Sequence, residues 1–274
     1  MKLQFTNGYR PRFDQISRII QYLFSQRDQK RISRKEIVDT LGIPDKQVKN
    51  LTSMMTGFGL VNPRVSTLTV FGENVVLHDL YFEKIETLWI IHYIVSSNPT
   101  WIIWYRIINS IIPIHENFSV DFISTTYFND LIDVYSQKTF EGKLPKEVGA
   151  VFASYSRSEL SRLNIISAET TGNFIRETPV EITPLAFLFC LVFFRDQLSP
   201  GSTSINIDEI FIAENSPGRV LNLPEYQIRN LLSDLHQKQL IRLEQFANLD
   251  QVRFSNSVTQ TSVMQYIYGE NDAT

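Results

Sequence analysis

A chain of 274 residues, 43% hydrophobic and 20% charged, has the composition of an ordinary globular protein and is long enough for one large domain or two to three small ones. A single cysteine, Cys190, excludes an internal disulfide, and no apolar run is long enough to span a bilayer, so a soluble cytoplasmic protein is expected. The net charge of −3 hides a basic head: residues 1–66 carry 12 Lys+Arg against 5 Asp+Glu, the asymmetry expected where one end of a chain meets a polyanion.

The first residues, MKLQFTNGYRPRF, lack the apolar stretch of a signal peptide. Residues 12–26 then place Ile16, Ile19, Ile20 and Leu23 on one helical stripe. Ser33 is placed to cap a second helix, RKEIVDTL, with Glu36 at capping-box spacing and Gly42 as its stop. Pro44 suits the start of a third helix, in which Val48, Leu51, Thr52 and Met55 are expected to face inward. Its outward side is expected to show Lys46, Lys49, Asn50 and Ser53, side chains fit for phosphates and base edges. Arg31, Arg34 and Lys35 before that helix and Arg64 after it complete the candidate DNA-binding set. Gly57 and Gly59 end the helix, and LVNPRVSTLTVFG, β-branched around a Pro-Arg turn, suits a two-stranded wing. Helix, helix, turn, helix, hairpin is the order of a winged helix-turn-helix, whose third helix normally enters the major groove.

Residues 79–109 are aromatic, and SSNP divides them into two expected helices. Trp89, Tyr93, Trp101, Trp104 and Tyr105 sit among Ile and Leu at helical spacing and are read as core. Further on, a helix is expected around FSVDFISTTYFNDLIDVY, a second around PKEVGAVFASYS, and a hairpin over NIISAETTGNFIRE. That order suggests a third winged unit, with LPKEV as a faint echo of the phrase that follows Leu41. The C-terminal part offers an apolar helix, TPLAFLFCLVFFRDQL, a second helix in NIDEIFIAEN, a turn around SPGRV, a third helix, and a hairpin turning near Ala247-Asn248.

One phrase is written twice. LGIPDKQVKNL begins at Leu41 and LNLPEYQIRNL at Leu221, 180 residues later. Leu41/Leu221, Pro44/Pro224, Val48/Ile228 and Leu51/Leu231 have structural explanations as helix end, helix start and buried face. Asn50 and Asn230 have none and are expected outside the core stripe. The charges around the copies differ, since residues 181–254 hold 6 Lys+Arg against 9 Asp+Glu. The first copy is therefore expected to face DNA and the second a protein. The organisation expected is a mainly α protein with small β-wings: a DNA-binding winged helix over 1–77, an aromatic helical middle over 78–178, a C-terminal winged helix over 179–268, and a mobile tail over 269–274.

The segment DLYFEKIETLWIIHYIVSSNPTWIIWYRIIN resembles a family known as domain of unknown function 4007, through Asp79, Glu83, Thr87, Leu88, Trp89, His92 and Tyr93, then Trp104, Tyr105 and Asn109. The N-terminus FTNGYRPRF keeps the family's arginine as Arg12 and a phenylalanine as Phe5 but lacks its His-Glu pair. The resemblance implies a bacterial antiphage defence setting, as the B component of Ssp-type DNA phosphorothioation systems. It further implies double-stranded DNA as ligand, a cysteine desulfurase and a sulfur-transfer enzyme as partner proteins, and DNA nicking, which would call for a divalent metal. A homodimer is compatible with it.

The residues themselves show no catalytic motif. There is no HExxH, no paired cysteine and no Gly-rich phosphate loop, and His78, His92, His115 and His236 are scattered. Glu83, Glu86 and His92 are the nearest thing to a metal set, but Glu83 and His92 are better read as hydrogen-bonding supports of the aromatic core. Cys190, on an apolar helix, is read as a small core residue. A non-catalytic winged-helix transcription regulator and an assembly scaffold remain the competing classes.

Overall fold

The computed structural model describes residues 3–28, 32–63, 67–170, 172–246 and 249–269. The protein is mainly helical with two small antiparallel three-stranded sheets, and its contacts divide it into two compact units, Met1–Val180 and Glu181–Thr274. Arg31, Arg64, the Ala247-Asn248 turn and residues 270–274 of the tail lie outside the described residues. No helix among the described residues is long and apolar enough to cross a membrane.

The first unit opens as its apolar spacing predicts. In α1 (Phe13–Ser25), Ile16, Ile19, Ile20 and Leu23 are all buried. The capping box at α2 (Arg34–Leu41) is complete: Ser33 Oγ accepts the Glu36 N–H and the Glu36 carboxylate accepts the Ser33 N–H. Gly42 closes that helix at a φ of 65°, left-handed backbone that only glycine adopts at little cost. Pro44 caps α3 (Asp45–Gly57). After α3 the expected two-stranded wing reduces, among the described residues, to a single antiparallel bridge between Val61 and Leu68. The expected strand stops early because Thr69 caps another helix, α4 (Val70–His78), with its Oγ1 accepting the Gly72 N–H.

The aromatic middle forms α5 (Ile85–Ser96) and α6 (Ile102–Arg106), the latter continuing through a π-helical turn, Ile107–Ile111. Trp89, Tyr93, Trp101, Trp104 and Tyr105 are buried, as core residues should be. The rest of the unit runs β1 (Asn117–Ser119), α7 (Val120–Thr126), α8 (Gln137–Arg157), β2 (Ile166–Thr170) and β3 (Asn173–Arg176), with sheet order β1-β3-β2. The helix expected over 118–135 is cut short at Thr126, and Pro145 of LPKEV lies inside α8 rather than at a helix start. The echo with Pro44 and Pro224 is therefore one of letters only.

The second unit is α9 (Pro184–Leu198), β4 (Ser204–Asn206), α10 (Ile207–Ile212), α11 (Pro217–Val220), α12 (Glu225–Gln237), β5 (Arg242–Phe246), β6 (Leu249–Arg253) and α13 (Gln260–Tyr268). The turn expected around SPGRV is the short helix α11, started by Ser216 Oγ accepting from Arg219 N–H and by Pro217 at its first position. Cys190 is fully buried in α9. The sheet order β4-β6-β5 repeats that of the first unit: in both, a short strand before the helices pairs with the last strand of a following hairpin.

Candidate nucleic-acid interface

The residues that carry the family-like pattern are almost all structural. Asp79, Thr87, Leu88, Trp89, His92, Tyr93, Trp104, Tyr105 and Asn109 are buried. Asp79 Oδ1 accepts the N–H groups of Glu83 (2.7 Å) and Lys84 (3.2 Å), which folds the loop before α5; burial nonetheless pushes its carboxyl above the usual range. Asn109 Nδ2 donates to the carbonyls of Ser96 and Tyr105 at 2.7 and 2.9 Å. Tyr155 Oη receives the Trp104 indole N–H at 3.1 Å and lies 2.6 Å from His92 Nδ1. Glu83, by contrast, is exposed and takes no part in supporting the core. Among the described residues no three His, Cys, Asp or Glu side chains gather as a metal site, and Glu83 is exposed whereas His92 is buried.

The exposed chemistry lies elsewhere, where an N-terminal arm, residues 3–12, is laid beside α3. Phe5 anchors it. Its ring is stacked on Trp101 at 4.4 Å between centroids and meets Phe58 and Trp104 edge-on, contacts that contribute about 0.5–1.5 kcal/mol each beyond burial. The ring fits only because residue 57 is glycine: a Cβ there would stand 2.4 Å from Phe5 Cζ. Glu147, buried in α8, fastens the next residues. Its Oε2 accepts Phe5 N–H, Thr6 N–H and Thr6 Oγ1–H at 3.1, 2.9 and 2.9 Å, and its Oε1 accepts Gly8 N–H at 3.1 Å. Four donors satisfy the carboxylate, with no cation paired to it among the described residues. Burial still outweighs them and holds the Glu147 carboxyl above the ordinary glutamate range. Asn7 completes the clip by donating from Nδ2 to Asn50 Oδ1 at 2.9 Å.

Asn50 is thereby only 7% exposed, which corrects the expectation that it faces outward. The helical stripe alone would leave it at the surface; the arm covers it. Lys46 and Lys49 are exposed on α3 without an ion pair among the described residues, and Ser53 is half-buried one turn further on. Thr52, expected inward, is also half-buried. Lys35 is exposed at the start of α2, while Arg34 is held by Asp45 at 2.7 Å across the α2–α3 turn.

Arm and helix enclose a cleft of about 470 Å³. Tyr9, Arg10 and Arg12 line it from the arm, and Lys46, Gln47 and Asn50 from α3. Lys46 Nζ lies 5.9 Å from the centre of the Tyr9 ring, within cation–π range. Arg12 makes a two-pronged pair with Asp14, both bonds 3.0 Å, and Arg10 donates to the Arg157 carbonyl. Tyr9 and Arg10 were not part of the sequence-derived set. The available signal is FTNGYRPRF, residues 5–13, where the family-like Phe5 and Arg12 flank them.

The family described as "Protein of unknown function (DUF4007)" matches residues 9–268. Two solved structures share the fold. An SspB crystal structure superposes with a TM-score of 0.77 at 14% identity, over 96% of this chain and 87% of that one. A magnesium ion-bound SspB crystal structure gives 0.76 at the same identity and coverage. No curated protein matches the chain.

Proposed function

Because the chain belongs to the DUF4007 family, we propose that it is the DNA-binding component of a bacterial DNA phosphorothioate modification and defence system, working beside a cysteine desulfurase and a sulfur-transfer enzyme. It contacts the backbone of double-stranded DNA through α3 and the N-terminal arm. The observation that carries this reading is the pair Lys46 and Lys49, three residues apart on one helix face, exposed and free of carboxylate partners among the described residues, with Arg10 along the rim. The helix–helix–turn–helix order of α1 to α3 supports a winged-helix reading of this region. The sheets β1-β3-β2 and β4-β6-β5, each with helices between the first strand and the hairpin, support the same reading of 117–176 and of the second unit. The fold shared with SspB supports the modification setting over a stand-alone regulator.

The α12 face suits a protein partner instead. Its one arginine is neutralised and Tyr226 stands 64% exposed beside it. Nicking is the further activity that the resemblance implies, with Mg²⁺ or Mn²⁺ as its cofactor.

Binding is tested by fluorescence anisotropy of a labelled duplex across a salt series. Wild type should lose affinity steeply with salt, and Lys46→Ala/Lys49→Ala should bind weakly with a flatter slope. Equal binding by the double variant would remove α3 from the interface. Supercoiled plasmid incubated with either metal, with and without the partner proteins, tests nicking: conversion to open circle supports it, and persistent supercoil leaves a binding protein of the regulator type.

A further inference from the structure

The cleft between arm and α3 holds more than backbone phosphates require. Leu51 and Met54 give it an apolar floor. Asn50 is 7% exposed, and while its Oδ1 accepts from Asn7, its Nδ2 has no hydrogen-bond partner in the protein among the described residues. Gln47, half-buried one turn earlier, likewise makes no side-chain hydrogen bond there. Tyr9 stands at the mouth, 53% exposed, with Lys46 beside its ring.

Both amides line the cleft, so their free donors are open to whatever enters it. Amide side chains are the groups that pair with base edges, because each offers a donor and an acceptor in one plane. An exposed aromatic ring gives a base a face to stack on. Cations at the rim suit the phosphates on either side of it. The volume, about 470 Å³, lies in the range of small-molecule sites and not of a flat duplex-binding surface. A base stacked within a duplex cannot enter such a recess; it must first leave the stack.

We propose that this cleft takes a single unpaired nucleobase from opened or single-stranded DNA. Tyr9 stacks on it, Asn50 and Gln47 meet its edge, and Arg10 and Lys46 hold the adjoining phosphates. This rests on the DNA-binding function above and names the state of the DNA that the same site recognises.

The full-length chain is titrated against three labelled duplexes of one sequence: fully paired, with one central base opposite an abasic site, and with abasic sites on both strands. The duplex with the unpaired base is expected to bind about fivefold to a hundredfold more tightly than the other two, as stacking of one base allows. With 2-aminopurine as that base, its emission should change on binding. Asn50→Ala should erase the preference. Because Asn50 is buried and its variant can unfold, Tyr9→Ala, an exposed change, should erase it as well, with melting curves recorded for both. Lys238→Ala, just past the end of α12, should keep it. Equal affinity for all three duplexes overturns the inference and leaves the binding function standing. Failure to bind any of them overturns both.

Discussion

Helices α3 and α12 carry the same phrase and end in different circumstances. Pro44 and Pro224 cap them, and Val48 and Ile228 are buried at the same step. Beyond that the copies part. Asn50 is buried beneath the arm, whereas Asn230 is exposed. Leu51 is buried, whereas Leu231 is half-buried and Leu232 takes the core position. Lys49 has no ion pair among the described residues; its counterpart Arg229 is held by Glu225 at 2.7 Å and Asp250 at 3.6 Å, with its guanidinium 5.2 Å from the centre of the Phe211 ring. The shared letters therefore specify a capped helix with one apolar face. What each helix offers to a partner is set by its neighbours.

The strongest way to break the comparison is to remove the neighbour. Glu147→Ala strips the arm of its acceptor and should cost about 2–4 kcal/mol, the scale of several backbone donors losing a buried partner. A melting temperature roughly 5–15 °C lower would show it. DNA affinity should fall in the same variant, because Tyr9 and Arg10 lose their place beside α3.

Next in size is the charge itself. Lys46→Ala/Lys49→Ala should weaken duplex binding by about 10- to 100-fold at low salt and lower the log–log salt slope by roughly 2, one counterion for each lost phosphate contact. Anisotropy at four or five salt concentrations resolves both numbers.

A smaller effect should follow pH. Glu147 ionises with more difficulty in the folded chain than in the unfolded one, because burial raises its pKa. Its titration therefore adds stability that is complete below the ordinary glutamate value and is lost as pH rises through the raised one. The gap between the melting temperatures of wild type and Glu147→Gln should change across that window, to the disadvantage of wild type as pH rises. A constant gap would show that the carboxyl titrates normally.

The smallest effect belongs to the second copy. Arg229→Ala should change duplex affinity by less than about twofold and stability by no more than about 1 kcal/mol, since its ion pairs are surface ones. A loss matching that of the lysine variant would mean that both copies meet DNA.

Much of the helical order is legible because it is local. Stripes at Ile16, Ile19, Ile20 and Leu23, the Ser33–Glu36 box and the stop at Gly42 each need only a few neighbouring residues. The arm has no such signature. Phe5 meets Trp101 and Glu147 meets Thr6 across distances along the chain that no periodicity spans. Asn50 shows the same limit from the other side: its letter and spacing match Asn230, and only Asn7 decides that it is buried. The helix α4 was hidden for a different reason. Its β-branched start, Thr69 and Val70, favours a strand until Thr69 is seen capping Gly72.

The Glu147 clip has a consequence for synthesis. It joins residues 139 to 142 positions apart. On a ribosome moving at about 5–20 residues per second, the arm is made roughly 7–30 seconds before the helix that will hold it. The residues that line the cleft are thus made well before the helix that completes it. A nascent or truncated chain ending before α8 would carry Lys46 and Lys49 without a seated arm, so assembly of the whole first unit is itself the condition for a finished binding face.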